Sequence, residues 1–382
     1  MNQLKSRGLS HADSPLILFM KKIIIYIMLV CLLLPMATGC TPQETAYQKY
    51  QYEFYDTFDT VVIVLAFTHS QEEFDALSDT VHNRMLELHQ LFDIYHNYEG
   101  INNIKTINDN AGIQPVKVDA QIIDLLKQAK QWDETTDGIV NVAMGSVLKI
   151  WHDYREAGML DEATAELPPQ DALEEAVQHT DINRVVIDEA ASTVYLDDPD
   201  MRLDVGAIAK GYAVEAVADE LIAQGYDSVL LSGGGNVRAI GAPKDGERDK
   251  WSVGITDPEI STDLIVQQQK LLDVAYVNDM SVVSSGGYER FYMVDGVPYH
   301  HLIDPRTLYP ANYYQAVSVL TEDSTRADAL STALFLMPPD EALAFAQSME
   351  GVEALWVMPD DTLMYTDGIK AMLRDLGGAT NG

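Results

Sequence analysis

The sequence predicts an α+β fold in which mixed, mainly antiparallel sheets are flanked by helices. The chain has 382 residues, 47% of them hydrophobic, which is enough to bury a full core. In the second half, strand-like runs outnumber helical ones and seldom alternate with them, whereas a doubly wound sheet requires regular alternation. The chain shows no repeat of fixed period and no low-complexity tract, so we expect one large domain over residues 52–370, followed by a C-terminal tail at 371–382.

The N-terminal segment has the pattern of an export signal. Lys21 and Lys22 precede an apolar run at 23–36, and small residues follow it directly before Cys40. A positive region, an apolar region and small residues at a cleavage point are typical of a secretory signal. Because a cysteine follows the small residues, the segment resembles a bacterial lipoprotein signal, with a signal peptide at 1–39 and lipidation, including palmitate, of Cys40.

A lipid on Cys40 would place the protein on the extracytoplasmic face of the cell membrane. Residues 40–51 are polar and are expected to form the lipidated tether. Met20 would open the signal naturally, so the residues before it are interpreted as an over-extended start. An uncleaved membrane anchor is the alternative, since the apolar run approaches the length of a membrane span.

Charge and cysteine content exclude several classes of function. Without residues 1–39 the chain carries 21 basic and 58 acidic residues, a net charge of −37. Such a surface repels polyanions, so no nucleic-acid partner is expected. The other cysteine, Cys31, lies inside the signal, which excludes a disulfide or a thiolate site in the mature chain. An anionic ligand would need a local cationic site or a divalent metal.

The first half predicts long helices and short strands. A β-rich run, two amphipathic helices and a hairpin are expected at residues 61–65, 71–95, 119–135, 185–187 and 193–196. Asp119 is the expected N-cap of the second helix. The small-residue stretch at 136–152 suits a pocket wall as well as a core, and the acidic, proline-bearing segment at 160–180 is expected to end in a helix.

The second half predicts strands separated by turns, with two late helices. The strands are expected at 228–231, 251–255, 274–277, 282–284, 291–294, 316–320, 354–357 and 363–365, and the helices at 325–337 and 340–348. Pro338 and Pro339 separate these helices because proline cannot continue a helix that precedes it.

The stretch at 203–215 predicts a turn that leads into a helix. Asp204 is placed near the N-cap, Gly206 loosens the backbone, and Lys210 falls in the first turn. A lysine is mildly disfavoured there, because the N-terminus of a helix favours anions. A bound phosphate would remove the conflict. The alternative is a solvated surface lysine.

Two further stretches contain residues with chemical potential. Residues 232–238 include three consecutive glycines, which expose backbone N–H groups, although a simple hairpin loop has the same pattern. In the segment at 299–307, His300 and His301 point to opposite faces if the chain is extended, so one of them is expected to face a pocket. A histidine can take a proton from a hydroxyl near neutral pH, but a structural histidine is equally compatible with the pattern.

The predicted helix at 325–337 carries a candidate metal site. Asp328 and Thr332 lie four residues apart on one face, and Ser331 lies three from Asp328. A carboxylate with hydroxyl or carbonyl oxygens suits Mg²⁺ better than zinc. Alternatively, Ser331 and Thr332 bond to carbonyls of their own helix while Asp328 pairs with a basic residue.

Together these stretches resemble the ApbE family, the FAD:protein FMN transferases. The matching segments are LDVGAIAKGYAVE (203–215), SGGGNVRAIG (232–241), SSGGYERF (284–291), HHLIDPRT (300–307) and ADALSTALFLM (327–337), with weaker matches at DTFDTVV (56–62) and DGIVNVAMG (137–145). The resemblance implies an ApbE-like, T-fold-like architecture. It also implies Mg²⁺-dependent transfer of FMN from FAD to a threonine or serine hydroxyl of an exported acceptor flavoprotein of an electron-transfer system, forming a phosphoester and releasing AMP.

Alternative functions at the same site are an FAD pyrophosphatase that releases FMN and AMP, and a non-catalytic flavin-binding lipoprotein. By resemblance, FAD would contact Phe58, Tyr95, Asn141, Asp204, Lys210 and the backbone of Leu302, with Lys210 near the phosphates. Mg²⁺ would be held by Asp328, Ser331, Thr332 and the carbonyl of Ala207, with Ser331 standing where the family often has a second acid. His301 is the candidate base. Phe58 and Asp59 replace a Met-Gly pair of the family.

Overall fold

The computed structural model describes residues 46–258 and 270–382, in which the predicted α+β class is confirmed. The strands are β1 (Gln48–Thr57), β2 (Thr60–Thr68), β3 (Val116–Lys117), β4 (Val185–Asp188), β5 (Thr193–Leu196), β6 (Ser228–Gly233), β7 (Asn236–Gly241), β8 (Trp251–Thr256), β9 (Leu271–Val277), β10 (Ser281–Gly286), β11 (Phe291–Val294), β12 (Val297–His300), β13 (Ala316–Thr321), β14 (Glu353–Val357) and β15 (Leu363–Tyr365). The α-helices are α1 (Gln71–Phe92), α2 (Ile104–Asp109), α3 (Ala120–Thr135), α4 (Gly145–Leu160), α5 (Gln170–Ala176), α6 (Ala209–Ala223), α7 (Ser324–Leu336), α8 (Pro339–Ser348) and α9 (Arg374–Gly377). Four short 3₁₀ turns occur at Glu162–Thr164, Val177–His179, Ile182–Arg184 and Asp367–Ala371.

The centre of the fold is an eight-stranded sheet with the order β1-β2-β6-β7-β10-β13-β14-β15. All of its neighbouring strands pair antiparallel. Three smaller antiparallel sheets have the orders β3-β5-β4, β8-β9 and β11-β12. Strands that are distant in sequence therefore meet at the middle of the large sheet.

Helices α1, α6 and α7 share the main core with the large sheet. Strand β13 is buried along its whole length, as expected of an inner strand covered on both faces. Helix α7 is also buried on nearly every side, with Asp328 and Ser331 among its buried residues. A helix without a solvated face must satisfy its polar groups inside the protein.

Side-chain caps explain why several helices begin where the sequence predicts. Ser70 accepts from the Glu73 N–H before α1, Asp119 accepts from the Gln121 N–H before α3, and Asp323 caps α7 in the same way. Helix α4 was not predicted. It begins after Met144, which makes no side-chain cap bond, so its small-residue start lacks the usual signal.

Both predicted domain boundaries need correction. Residues 48–51, assigned to the tether, belong to β1 because Gln48–Gln51 pairs with Leu65–Thr68. The predicted tail also packs onto the fold: the N–H groups of Asp375 and Leu376 donate to the Asp273 carboxylate at 2.9 and 2.8 Å.

The predicted signal peptide and Cys40 lie outside the described residues. Among the residues that are described, no helix is long and apolar enough to cross a membrane.

Candidate functional site

The approach to α6 differs from the predicted cap. Helix α6 begins at Ala209, and Asp204 is not its N-cap, since the Asp204 Oδ1 accepts from the Gly206 N–H at 2.9 Å in a preceding turn. The cap position is Ile208, which has no polar side chain to offer the free amides. Lys210 lies in the first turn, as predicted. The first turn of this helix therefore presents an ammonium group and amides without a side-chain cap.

Asp328 of α7 meets the start of α6. The Gly211 N–H donates to the Asp328 Oδ2 at 2.7 Å, while the Tyr212 N–H donates to Ile208 at 3.0 Å in the ordinary helical pattern. The Gly211 amide thus bonds to Asp328 and not to the Ala207 carbonyl, four residues back. Within the described ranges, no backbone donor reaches that carbonyl outside the regular elements. The Asp328 carboxylate therefore lies at the first turn of α6, a few residues along the chain from Ala207.

Glycine is required at the contact between α6 and α7. A Cβ atom on Gly211 would lie 2.4 Å from the Ser324 carbonyl oxygen and 2.5 Å from the Asp328 Cβ. These distances are well inside normal van der Waals contact. The absence of a side chain at this position allows the two helices to approach closely enough for the Gly211–Asp328 hydrogen bond.

The electrostatics of Asp328 suit a cation. Asp328 is 4% exposed. Burial raises the pKa of its carboxyl group, although the Lys210 charge and the Gly211 N–H oppose the rise. In the described residues, Oδ2 has one backbone donor and Oδ1 has no hydrogen-bond partner. A buried carboxylate with an available oxygen is a chemically suitable ligand for a hard cation such as Mg²⁺.

Ser331 and Thr332 differ in availability. The Ser331 hydroxyl is fully buried, donates to the Asp328 carbonyl at 2.9 Å and bonds to the Ser285 hydroxyl at 2.8 Å. It therefore has the helix-bonding role that the sequence left open. Thr332 is half-buried, and its hydroxyl has no hydrogen-bond partner in the described part of the chain.

The two adjacent histidines have different environments. His300 Nε2 donates to the Ala311 carbonyl at 2.7 Å and its Nδ1 accepts from the Leu302 N–H at 3.2 Å, so both nitrogens are used. His301 Nδ1 donates to the Arg290 carbonyl at 3.3 Å, and its Nε2 has no partner among the described residues. Burial, reinforced by the Arg290 charge, lowers the pKa of His301 to about 3, so its ring is neutral at neutral pH.

Three turns meet near the start of β2. Phe58 and Asp59 form the β1–β2 turn, and the glycine motif forms the β6–β7 turn with Gly234 and Gly235 at positive φ. A Cβ on Gly234 would lie 2.3 Å from the Thr60 Oγ1, so the two turns are in direct contact. The third turn joins β10 to β11 and contains Glu289. A Cβ on Gly235 would lie 3.8 Å from a carboxylate oxygen of Glu289, so this turn lies beside the glycine turn.

The remaining predicted flavin contacts are half-buried or engaged. Tyr95 is 47% exposed and its ring lies 5.1 Å from that of His152. Asn141 uses its amide to donate to the Thr180 carbonyl and its oxygen to accept from the Ala143 N–H.

Leu302 is buried and its backbone is hydrogen-bonded inside the protein. Its N–H donates to His300 Nδ1, and its carbonyl accepts from the Ala311 N–H at 3.0 Å. A carbonyl oxygen has a second lone pair, so this arrangement leaves one acceptor position for a ligand.

Sequence reasoning missed the basic residues that surround Asp204. Burial raises the pKa of Asp204, while His152, Arg155 and Arg290 oppose that rise. Arg155 also donates to His152 Nδ1 at 2.9 Å. His152 and Arg155 lie on α4, whereas Arg290 lies far along the chain before β11, so no local sequence pattern indicates that they act on the same carboxylate. They supply local positive charge in a strongly acidic chain.

Glu289 connects this basic group to Lys210. Burial raises the pKa of the Glu289 carboxyl, and the charges of Lys210 and Arg290 oppose the rise. Because Lys210 also acts on Asp328, the α6–α7 contact and the hairpin of His301 lie within electrostatic range of the same charged groups.

Comparison with known proteins identifies the family of this chain. The family model described as the ApbE family matches residues 56–356. The chain belongs to the ApbE family. The FAD:protein FMN transferase of Treponema pallidum (strain Nichols) is 36% identical over 285 residues, which are 72% of this chain and 75% of that protein. The enzyme of the same name from Klebsiella pneumoniae (strain 342) is 32% identical over 261 residues, or 66% of this chain and 74% of that protein.

Solved ApbE structures share the fold of this ApbE-family chain. The ApbE protein of Thermotoga maritima has a TM-score of 0.72 and 29% identity, covering 85% of this chain and 99% of that one. The flavin transferase ApbE of Vibrio cholerae has a TM-score of 0.69 at 24% identity, which supports the fold alone. Family membership identifies the protein as an enzyme of the flavin-transferase class.

Another acidic cluster of this ApbE-family protein involves different residues. His179, Asp198 and Asp200 place potential ligand atoms within 4.8 Å of one another. However, the Asp198 carboxylate already bonds to Arg184 and accepts from His179 Nδ1 at 3.0 Å. An arginine at this carboxylate supplies the positive charge that a metal would supply, so we interpret the cluster as a structural ion pair.

Proposed function

We propose that the protein transfers FMN from FAD to a threonine or serine hydroxyl of an acceptor protein in a Mg²⁺-dependent reaction that releases AMP. The observation that carries this proposal is the buried Asp328 carboxylate, which lies at the first turn of α6 where the charge of Lys210 acts on it. A phosphoryl-type transfer depends mainly on positioning and on neutralising the phosphate charge. The names of the relatives support flavin transfer, while the donor set of this chain supports the metal.

Lys210 and the start of α6 are proposed to bind the pyrophosphate of FAD. The ammonium group and the positive end of the helix dipole at this N-terminus both favour an anion. Asp328, the Ala207 carbonyl and Thr332 are the residues that would hold Mg²⁺, while the Ser331 hydroxyl is engaged by the backbone carbonyl of Asp328 in its own helix. When bound, the metal would neutralise charge on the phosphate oxygens.

His301 is proposed as the base that activates the acceptor hydroxyl. Its Nδ1–H donates to the Arg290 carbonyl, which fixes the tautomer and leaves the Nε2 lone pair available. Nε2 takes the hydroxyl proton as the acceptor oxygen bonds to the FMN phosphorus. The phosphorus–oxygen bond to AMP breaks, and AMP leaves with the bonding electron pair.

Product analysis tests the proposal. The protein is incubated with FAD, Mg²⁺ and a candidate exported flavoprotein, and AMP release is compared with the mass of the acceptor. The expected result is one AMP for each added FMN phosphoester, located on a threonine or serine. Equal amounts of AMP and free FMN would instead identify a pyrophosphatase, and FAD binding without AMP would identify a non-catalytic flavin-binding protein.

We also propose that the protein works at the extracytoplasmic face of the cell membrane, anchored through Cys40, on an acceptor flavoprotein of an exported electron-transfer system. The signal-like segment that precedes Cys40 supports this location. Cell fractionation combined with mass analysis of the N-terminus checks this location. The unaltered protein is expected in the membrane fraction with a lipid on Cys40, and the Cys40→Ser variant is expected to carry no lipid. An unlipidated N-terminus on the unaltered protein would contradict the anchor.

A further inference from the structure

An unusual turn lies at the first predicted flavin contact. Phe58 and Asp59 join β1 to β2 with φ values of 52° and 49°. Tight hairpin turns of this kind favour asparagine and glycine, because other side chains are disfavoured at positive φ. A phenylalanine therefore occupies this turn only because surrounding contacts stabilise it.

The main stabilising contact is His89, near the end of α1. The Phe58 N–H donates to His89 Nδ1 at 3.2 Å, and the two rings pack edge to face with centroids 5.5 Å apart. Since Nδ1 accepts this bond, the ring proton lies on Nε2. That proton points to the hydroxyl oxygen of Tyr98 at 3.3 Å.

Tyr98 extends the hydrogen-bond network from His89 towards Tyr95, which is also a predicted flavin contact. Its hydroxyl donates to the Asp93 Oδ2 at 2.6 Å, and burial together with this bond raises the pKa of Tyr98. The other carboxylate oxygen of Asp93 accepts from the Tyr95 N–H at 2.6 Å and from the His96 N–H at 3.2 Å. Asp93 itself is buried, so its charge depends on these donors.

A continuous series of hydrogen bonds thus joins the backbone of Phe58 to the backbone of Tyr95. We propose that His89 and Tyr98 are positioning residues, which set the places of Phe58 and Tyr95 against the flavin ring. This inference rests on the proposed function, because it assumes that FAD is the ligand. The network explains how this chain accommodates Phe58-Asp59 where the family often has Met-Gly.

The inference predicts an effect on flavin binding that exceeds the effect on the chemical step. Removing the Tyr98 hydroxyl deletes two hydrogen bonds without removing the ring. A loss of about 1 kcal/mol in ligand positioning corresponds to an increase of roughly fivefold in the Kd for FAD. The reacting phosphate is held by Lys210 at α6, so kcat at saturating FAD is expected to change less than twofold.

The experiment compares Tyr98→Phe, His89→Ala and His89→Asn with the unaltered full chain, using FAD as the probe. The Kd and the change in the visible absorption band of FAD are measured on binding, and KM and kcat are measured from AMP release. Tyr98→Phe and His89→Ala are expected to raise Kd and KM and to reduce the absorption change. His89→Asn is expected to recover part of both, since its side-chain oxygen can accept from the Phe58 N–H.

Tyr212→Phe is the matched control. It also removes a tyrosine hydroxyl that donates to an aspartate, here Asp124 at 3.0 Å, with its ring against Phe92. A Kd for Tyr98→Phe equal to that of this control would overturn the inference while leaving the proposed function intact. If the unaltered protein neither binds FAD nor releases AMP, the proposed function fails and the inference fails with it. Thermal unfolding of each variant confirms that a weaker Kd belongs to a folded protein.

Discussion

Gly211→Ala is the substitution that tests the α6–α7 contact most directly. The added Cβ would lie 2.4 Å from the Ser324 carbonyl oxygen and 2.5 Å from the Asp328 Cβ, whereas atoms in contact normally lie about 3.5 Å apart. The helices must therefore separate by roughly 1 Å. Overpacking of this kind costs about 1–3 kcal/mol. Lengthening the Gly211–Asp328 hydrogen bond, which involves a charged acceptor, adds about 1.5 kcal/mol or more.

The free energy of unfolding is therefore expected to fall by about 2.5–4.5 kcal/mol, measured by chemical denaturation without metal. A displacement of 1 Å at reacting groups can reduce a rate by about 100-fold, so FMN transfer is expected to fall by that order and the Mg²⁺ requirement to rise. Gly158→Ala is the control. Gly158 lies on a different helix, α4, and its added Cβ would lie 2.5 Å from a ring atom of Tyr292 on β11. Similar loss of stability in both variants with unchanged Mg²⁺ dependence in Gly211→Ala would refute the reasoning.

Three further substitutions test individual groups. Burial raises the pKa of Asp328, so its charge destabilises the metal-free fold as pH rises through that raised pKa. At neutral pH in a chelator, the Asp328→Asn variant is therefore expected to melt at a higher temperature than the unaltered protein. The variant is also expected to show no stabilisation by Mg²⁺ and no FMN transfer. Added Mg²⁺ that still stabilises this variant would contradict a ligand role. His301→Gln is expected to retain FAD binding and lose transfer. Because the pKa of His301 is lowered to about 3, its contribution to stability is complete above about pH 6.5 and is lost as pH falls towards 3, so the variant should show less acid destabilisation over that window in thermal melts. Lys210→Met is expected to raise the KM for FAD by about 10-fold or more, the value of one charge-assisted hydrogen bond; an unchanged KM would remove Lys210 from the phosphate site.

Local signals in the sequence were sufficient for most helices and strands. The polar caps Ser70, Asp119 and Asp323 mark helix starts, and alternating or β-branched runs mark the strands. Helix α4 escaped prediction because Met144 gives no cap signal and small residues follow it. The start of α6 was misplaced for a related reason: Asp204 has the right residue type for a cap but bonds within the preceding turn.

The candidate site could be predicted only where its residues occur in characteristic motifs. Asp328 and Lys210 were predicted in this way. The free Ala207 carbonyl was expected from the resemblance, but its physical cause, the diversion of the Gly211 amide to Asp328, is a tertiary contact. Similarly, His301 could be distinguished from His300 only once the partners of all four ring nitrogens were known.

The hydrogen bond from Gly211 to Asp328 joins positions 117 residues apart. A cation held by Asp328 and the Ala207 carbonyl would therefore act as a removable cross-link between two distant parts of the chain. It could bind only after both helices have docked, so its binding energy would add to the stability of the whole domain by mass action. Contacts of such long range also form late and slow folding, because a large loop must close first. Magnesium supply during refolding is thus expected to influence the yield of native protein as well as the rate of the finished enzyme.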